Sequence, residues 1–135
     1  MVSIDIVYDG STHCTLTHES GAGIETIAPK DIGGEGNRFS PTDMVAGALG
    51  ACILTTVAMW AERQGYDITG ATAHVTKEMS TEAPRRIGRL VTTLTIPESA
   101  LPEDLRQRAA QIAHTCPVHK SLHPEVEAPI EFVYR

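Results

Sequence analysis

The feature that most constrains this chain is an 18-residue run, Met44 to Ala61, apolar or small on nearly every face and opened by Ser40-Pro41-Thr42-Asp43. Ser40 as cap, Pro41 at the first helical position and Asp43 three residues after the cap are start signals for a helix. Glu62-Arg63-Gln64-Gly65 supplies a polar exit and a glycine suited to the left-handed closing conformation. A helix without a polar face has to be covered, so the remainder of the 135-residue chain is expected to wrap it. The run has the length of a membrane span, but Gly47, Gly50, Thr55 and Thr56 dilute it and no second span exists to pack against. The expectation is a buried central helix and no membrane partner.

The flanking sequence has a period of two. Ser3 to Tyr8 alternates, Asp9-Gly10 is a hairpin signal, and His13 to His18 continues beyond it. Ser20-Gly21-Ala22-Gly23 turns again into Ile24 to Ile27, which predicts a three-stranded meander. Ala28 to Phe39 is a polar, glycine-rich loop. After Asp67, Ala71, Ala73, Val75 and Lys77 alternate with polar neighbours, as do Leu90, Thr92, Leu94 and Ile96, with Pro84 in the polar turn between. Pro102-Glu103-Asp104 opens a second helix with a stripe of Leu105, Ala109, Ile112 and Ala113. A short third helix begins at Thr115 or Cys116 with Pro117 just inside. Val126 to Tyr134 reads as a strand that Pro129 confines to an edge or a bulge. The order β-β-β-α-β-β-α-α-β is an α+β arrangement, a mostly antiparallel sheet over an apolar helix, in one domain spanning 1–135.

A formal charge of −6, with only 11 Lys and Arg spread along the chain, excludes a nucleic-acid surface. Met1 to Gly10 lacks the basic and apolar blocks of a secretory leader, so a cytoplasmic location is expected. There, paired thiols more often serve redox chemistry or metal binding than structural disulfides.

Cys52 lies within the apolar helix and Cys116 opens Cys116-Pro117-Val118-His119-Lys120, 64 positions later. Burial raises a thiol's pKa, so a reactive Cys52 calls for a nearby arginine, lysine or protonated histidine. Cys116, at a helix start, faces free backbone N–H groups that favour its thiolate. Cysteine is a poor helix cap, which weakens a purely structural role there. His114, Cys116, His119 and His123 crowd ten residues, and zinc accepts both thiolate and imidazole, but their spacing lacks a familiar paired-ligand framework. No metal or other cofactor is expected, and Cys14, in a strand, is expected to be inert.

Phe39-Ser40-Pro41-Thr42-Asp43, Ala48-Leu49-Gly50-Ala51-Cys52 and Cys116-Pro117-Val118-His119-Lys120-Ser121-Leu122 together resemble the OsmC/Ohr family of thiol-dependent peroxidases. The resemblance spans nearly the whole chain. It implies an intertwined homodimer whose sheets wrap two central helices. It also implies catalytic roles: Cys52 as the thiolate that cleaves an organic hydroperoxide and becomes a sulfenic acid, and Cys116 as the thiol that resolves it to a disulfide. An external thiol or dithiol would reduce that disulfide. The family's activating pair, an early-strand arginine and a glutamate at the start of the central helix, is not carried over, since no arginine precedes Arg38 and Thr42 stands at the glutamate position. Arg38 with Asp43 as its orienting carboxylate is the substitute expected, with Arg85, Arg86 and Arg89 as rivals. A non-enzymatic small-molecule-binding or redox-sensing protein is the alternative on the same fold.

Overall fold

The computed structural model describes residues 1–135. In chain order the elements are β1 (Ile4–Gly10), β2 (His13–His18), β3 (Gly23–Thr26), α1 (Pro41–Arg63), β4 (Thr72–Met79), β5 (Ile87–Ile96), α2 (Arg106–Ala113), α3 (Pro117–Ser121) and β6 (Ile130–Tyr134). This is the expected α+β order. The chain divides into two compact units, Met1–Val45 and Ala46–Arg135, and α1 runs from the first into the second.

In the first unit β1, β2 and β3 form an antiparallel meander. Residues directly opposed in such a ladder share a face. The pairs Ile6↔Leu16 and Leu16↔Ile24 therefore draw an apolar row across it, flanked by Ile4 and Tyr8. The opposite face carries Asp5, Asp9, Thr15, Thr17 and Glu25. The apolar face is open: Ile4, Ile6 and Ile24 are 52%, 59% and 48% exposed.

The first turn differs from the sequence expectation. β1 continues through Asp9-Gly10, where the register shifts as a bulge, and the chain reverses at Ser11 and Thr12, whose φ angles are +51° and +65°. Gly10, at φ +90°, is used for the bulge, and the Tyr8 hydroxyl accepts the Thr12 N–H at 3.2 Å to support the reversal. In the loop that follows, a Cβ at Gly34 would lie 1.5 Å from the Ala28 carbonyl oxygen, so only glycine fits there. Ser40 closes a reciprocal cap: its Oγ accepts the Asp43 N–H at 3.1 Å and its own N–H reaches Asp43 Oδ2 at 2.9 Å.

In the second unit β4 pairs antiparallel with β5, and β6 pairs parallel with β5 as an edge strand. Pro129 falls between an isolated Arg89↔Glu127 bridge and the start of β6, the edge position that a missing N–H permits. Leu90, Thr92, Leu94 and Ile96 form the buried face of β5, and Leu49, Ile53, Val57, Trp60 and Ala61 the buried face of α1. Gly50 lets α1 approach β4, since a Cβ there would come within 2.9 Å of Val75 Cγ2. At its far end Gly65, at φ +87°, donates to Glu62 while Tyr66 N–H reaches Ala61, a left-handed helix stop.

α1 has the length and hydropathy of a membrane span, and within a single chain it is not buried on every face. Gly47, Ala48, Ala51, Thr55 and Met59 form an exposed stripe at helical spacing. Small side chains from Gly47 to Thr55 keep most of that stripe flat, with the larger Met59 at its end, and this chain's own elements leave it uncovered. α2 starts later than expected, because Glu103–Leu105 forms a 3₁₀ turn ahead of it.

Candidate active site

α1 presents Cys52 at an incompletely buried position, and the turn after α2 delivers Cys116, which is fully buried. Both are free thiols. The fold sets these two distant cysteines side by side, close enough for each to shift the other's pKa. α3 supplies the rest. Cys116 is its cap residue with Pro117 at the first helical position, and the His119 N–H donates to Cys116 Sγ at 3.4 Å. Cys116 thus does cap a helix, with sulfur as the acceptor.

The two sulfurs are driven in opposite directions. Burial pushes the Cys52 thiol up, but hydrogen bonds from the Cys116 thiol, the Val118 backbone N–H and the Thr56 hydroxyl outweigh it and hold the group below the ordinary thiol range. Burial also pushes Cys116 up, and there the bond it gives to Cys52 and the charge on that sulfur add to the effect. The N–H groups of His119 and Val118 offset this only in part. Of the two, Cys52 is the sulfur that gives up its proton first, with Cys116 as the donor to it. One sulfur is made easier to ionise and its neighbour harder.

No guanidinium or ammonium figures among the groups that lower Cys52, which was the role the sequence reading gave to Arg38. Arg38 forms an ion pair with Glu25, both side chains being about half exposed. Asp43 serves the helix cap. Arg86 pairs with Glu125 at 3.5 Å, and Arg89 with Glu127 at 3.3 Å. What sequence reasoning missed was Thr56 and the Val118 N–H. Thr56 was open to inference, because a residue four positions along a helix lies over the same face as Cys52. The Val118 donor was not, since nothing local joins positions 52 and 118.

The histidines are engaged with the backbone. His114 Nδ1 lies 2.8 Å from the Ala110 carbonyl, His119 Nε2 lies 3.0 Å from the Ala128 carbonyl, and His123 Nδ1 accepts the Glu125 N–H at 3.1 Å. No three His, Cys, Asp or Glu side chains gather as a ligand set for a metal. Cys14 stands on the apolar face of the first sheet, opposite Tyr8 and Thr26.

A thiol on one helix beside a thiol at the start of a second defines a dithiol site on an α+β scaffold. Residues 34–131 match the family model described as OsmC-like protein. The chain belongs to the OsmC/Ohr family. A protein from Psychrobacter arcticus, assigned provisionally to osmotic stress and detoxification response, is 34% identical, with a TM-score of 0.90 over 98% of this chain and 96% of that one. The organic hydroperoxide resistance protein OsmC of Legionella pneumophila is 17% identical, with a TM-score of 0.74 over 98% and 96%. The organic hydroperoxide resistance protein OhrB of Bacillus subtilis is 16% identical, with a TM-score of 0.73 over 98% and 97%; like the Legionella protein it shares the fold. No curated protein matches the chain in sequence.

Proposed function

We propose that the chain is a thiol-dependent peroxidase that reduces organic hydroperoxides, working as a cytoplasmic homodimer with residues 1–135 as a single domain. The observation that carries this reading is the opposed pair of sulfurs, Cys52 held below the ordinary thiol range and Cys116 above it, side by side. The Cys52 thiolate attacks one peroxide oxygen. A sulfur–oxygen bond forms as the oxygen–oxygen bond breaks, and the departing alkoxide takes up a proton as the alcohol. Cys52 is left as a sulfenic acid. The Cys116 sulfur then attacks the Cys52 sulfur, a disulfide forms, and the sulfenic hydroxyl leaves with the Cys116 proton as water. An external thiol or dithiol returns two electrons and restores both thiols. The alanine- and glycine-rich helix around Cys52 suits an apolar peroxide better than a charged one.

Homodimer formation is supported by the open apolar face of the first sheet and by the exposed stripe of α1, both surfaces a second copy would cover. A non-enzymatic redox sensor on the same fold is the second reading, favoured by the lack of a cation among the groups acting on Cys52. Consumption of cumene hydroperoxide with dithiothreitol as reductant separates the two. Wild type turns over repeatedly, and Cys52→Ser falls at least about a hundredfold because the nucleophile is gone. Equal rates in the two proteins sink the peroxidase reading, and a single oxidation of Cys52 without turnover supports the sensor.

A further inference from the structure

We infer that His119 is a positioning residue for the thiol pair: its ring ties the segment that carries the sulfur-holding N–H groups to the Ala128 carbonyl. The inference deepens the peroxidase reading and rests on it only for its effect on turnover.

α3 has five residues and buries none of them fully, so beyond its buried cap Cys116 and the half-buried Val118 and His119 it has little packing to fix where it stands. The bonds from Ser121 Oγ to the Pro117 carbonyl at 2.8 Å and from Lys120 N–H to the Cys116 carbonyl at 3.0 Å are internal to the segment. They shape it without placing it. The His119 ring reaches outward, with Nε2 at 3.0 Å from the Ala128 carbonyl. That stretch is itself pinned, because the Thr92 N–H of β5 donates to the Pro129 carbonyl at 3.1 Å. The His114 ring meets His119 edge to face, with centroids 5.3 Å apart. A carbonyl only accepts, so the Nε2 atom carries the proton in this contact.

The same residue's backbone N–H donates to Cys116 Sγ, and the N–H of its predecessor Val118 is close enough to both sulfurs to lower their pKa values. A displaced His119 therefore moves both donors at once. Hydrogen bonds to a thiolate are sharply dependent on distance and angle, so a small displacement weakens them without unfolding the second unit. Glutamine at position 119 can present an amide N–H to the Ala128 carbonyl. Alanine cannot, and the shorter asparagine falls short of it.

The test is iodoacetamide alkylation of Cys52 across a pH series, read by peptide mass spectrometry, with thermal melts of each variant. It needs no peroxide. Wild type alkylates with a midpoint below the ordinary thiol range. His119→Ala and His119→Asn alkylate roughly 3- to 10-fold more slowly near pH 7, with the midpoint moved up, the size expected for losing one such bond. His119→Gln stays within about twofold of wild type because the donor is restored. A wild-type midpoint in His119→Ala overturns the inference, as does a glutamine variant that falls with the alanine one. Loss of the cooperative melt in both deficient variants also overturns it, since the role is then structural. A wild type that alkylates as described but fails to consume cumene hydroperoxide sinks the peroxidase reading and leaves the role of His119 standing.

Discussion

The two three-stranded sheets have similar apolar patterning and opposite fates. In the second, alternate residues of β5 find cover within their own unit: Leu90, Leu94 and Ile96 are fully buried with Leu49 and Ile53 of α1. In the first, the row from Ile6 through Leu16 to Ile24 lies on one face just as regularly, yet Ile6 remains 59% exposed. Amphipathic patterning specifies which face can be buried, but it does not supply the covering layer. The thiol pair resides in the unit with its own core. A thiol pair held by backbone donors needs the rigid placement that close packing supplies.

The largest effect expected from this contrast is at Leu94. Truncation there removes a fully buried side chain and leaves a cavity, so Leu94→Ala costs about 2–5 kcal/mol in urea-unfolding free energy. A loss below about 1 kcal/mol would show that the second sheet is no better packed than the first, and the comparison would fail. The next effect belongs to the first sheet and is read as association. If a second copy covers that face, Ile6→Asp places a charge in an apolar contact and weakens the dimer at least about tenfold by sedimentation equilibrium. A wild-type chain that sediments as a monomer at the same concentrations, or a variant with unchanged association, breaks the proposal that this face is an interface.

Where these elements lie was largely legible in the sequence, because period-two alternation and the Ser40 to Asp43 start signal are local. The hairpin tip was misplaced for an equally local reason: Asp9-Gly10 is a turn signal and also a bulge signal, and the choice fell to the Tyr8 hydroxyl and the paired left-handed Ser11 and Thr12. How much of α1 a single chain covers was not legible, since composition states what a helix could bury and the exposed stripe depends on what is there to cover it. At the site, both cysteines were legible as individual candidates. The source of the Cys52 shift was sought in a cation because a charge is the sequence-visible way to stabilise a thiolate. The structure uses neutral donors instead, and two of the three, the Cys116 thiol and the Val118 N–H, reach Cys52 only through tertiary folding.

The smallest of the expected effects tests how the first unit is held where apolar burial is sparse. Ser40 is buried to 1% exposure, and its hydroxyl and N–H both exchange bonds with Asp43. A cap of this kind stabilises a helix by satisfying donors that have no partner inside it. Ser40→Ala keeps the Ser40 backbone N–H to Asp43 bond and loses the hydroxyl acceptor, so about 1 kcal/mol of unfolding free energy is expected to go. Ser40→Asn, which retains a side-chain oxygen at the cap, recovers most of it. Because the cap lies more than two helical turns ahead of Cys52, the alkylation midpoint of Cys52 should not move in either variant. A shift in that midpoint would mean that the entry of α1 and the thiol pair are coupled, and the division between a unit that supports and a unit that reacts would have to be abandoned.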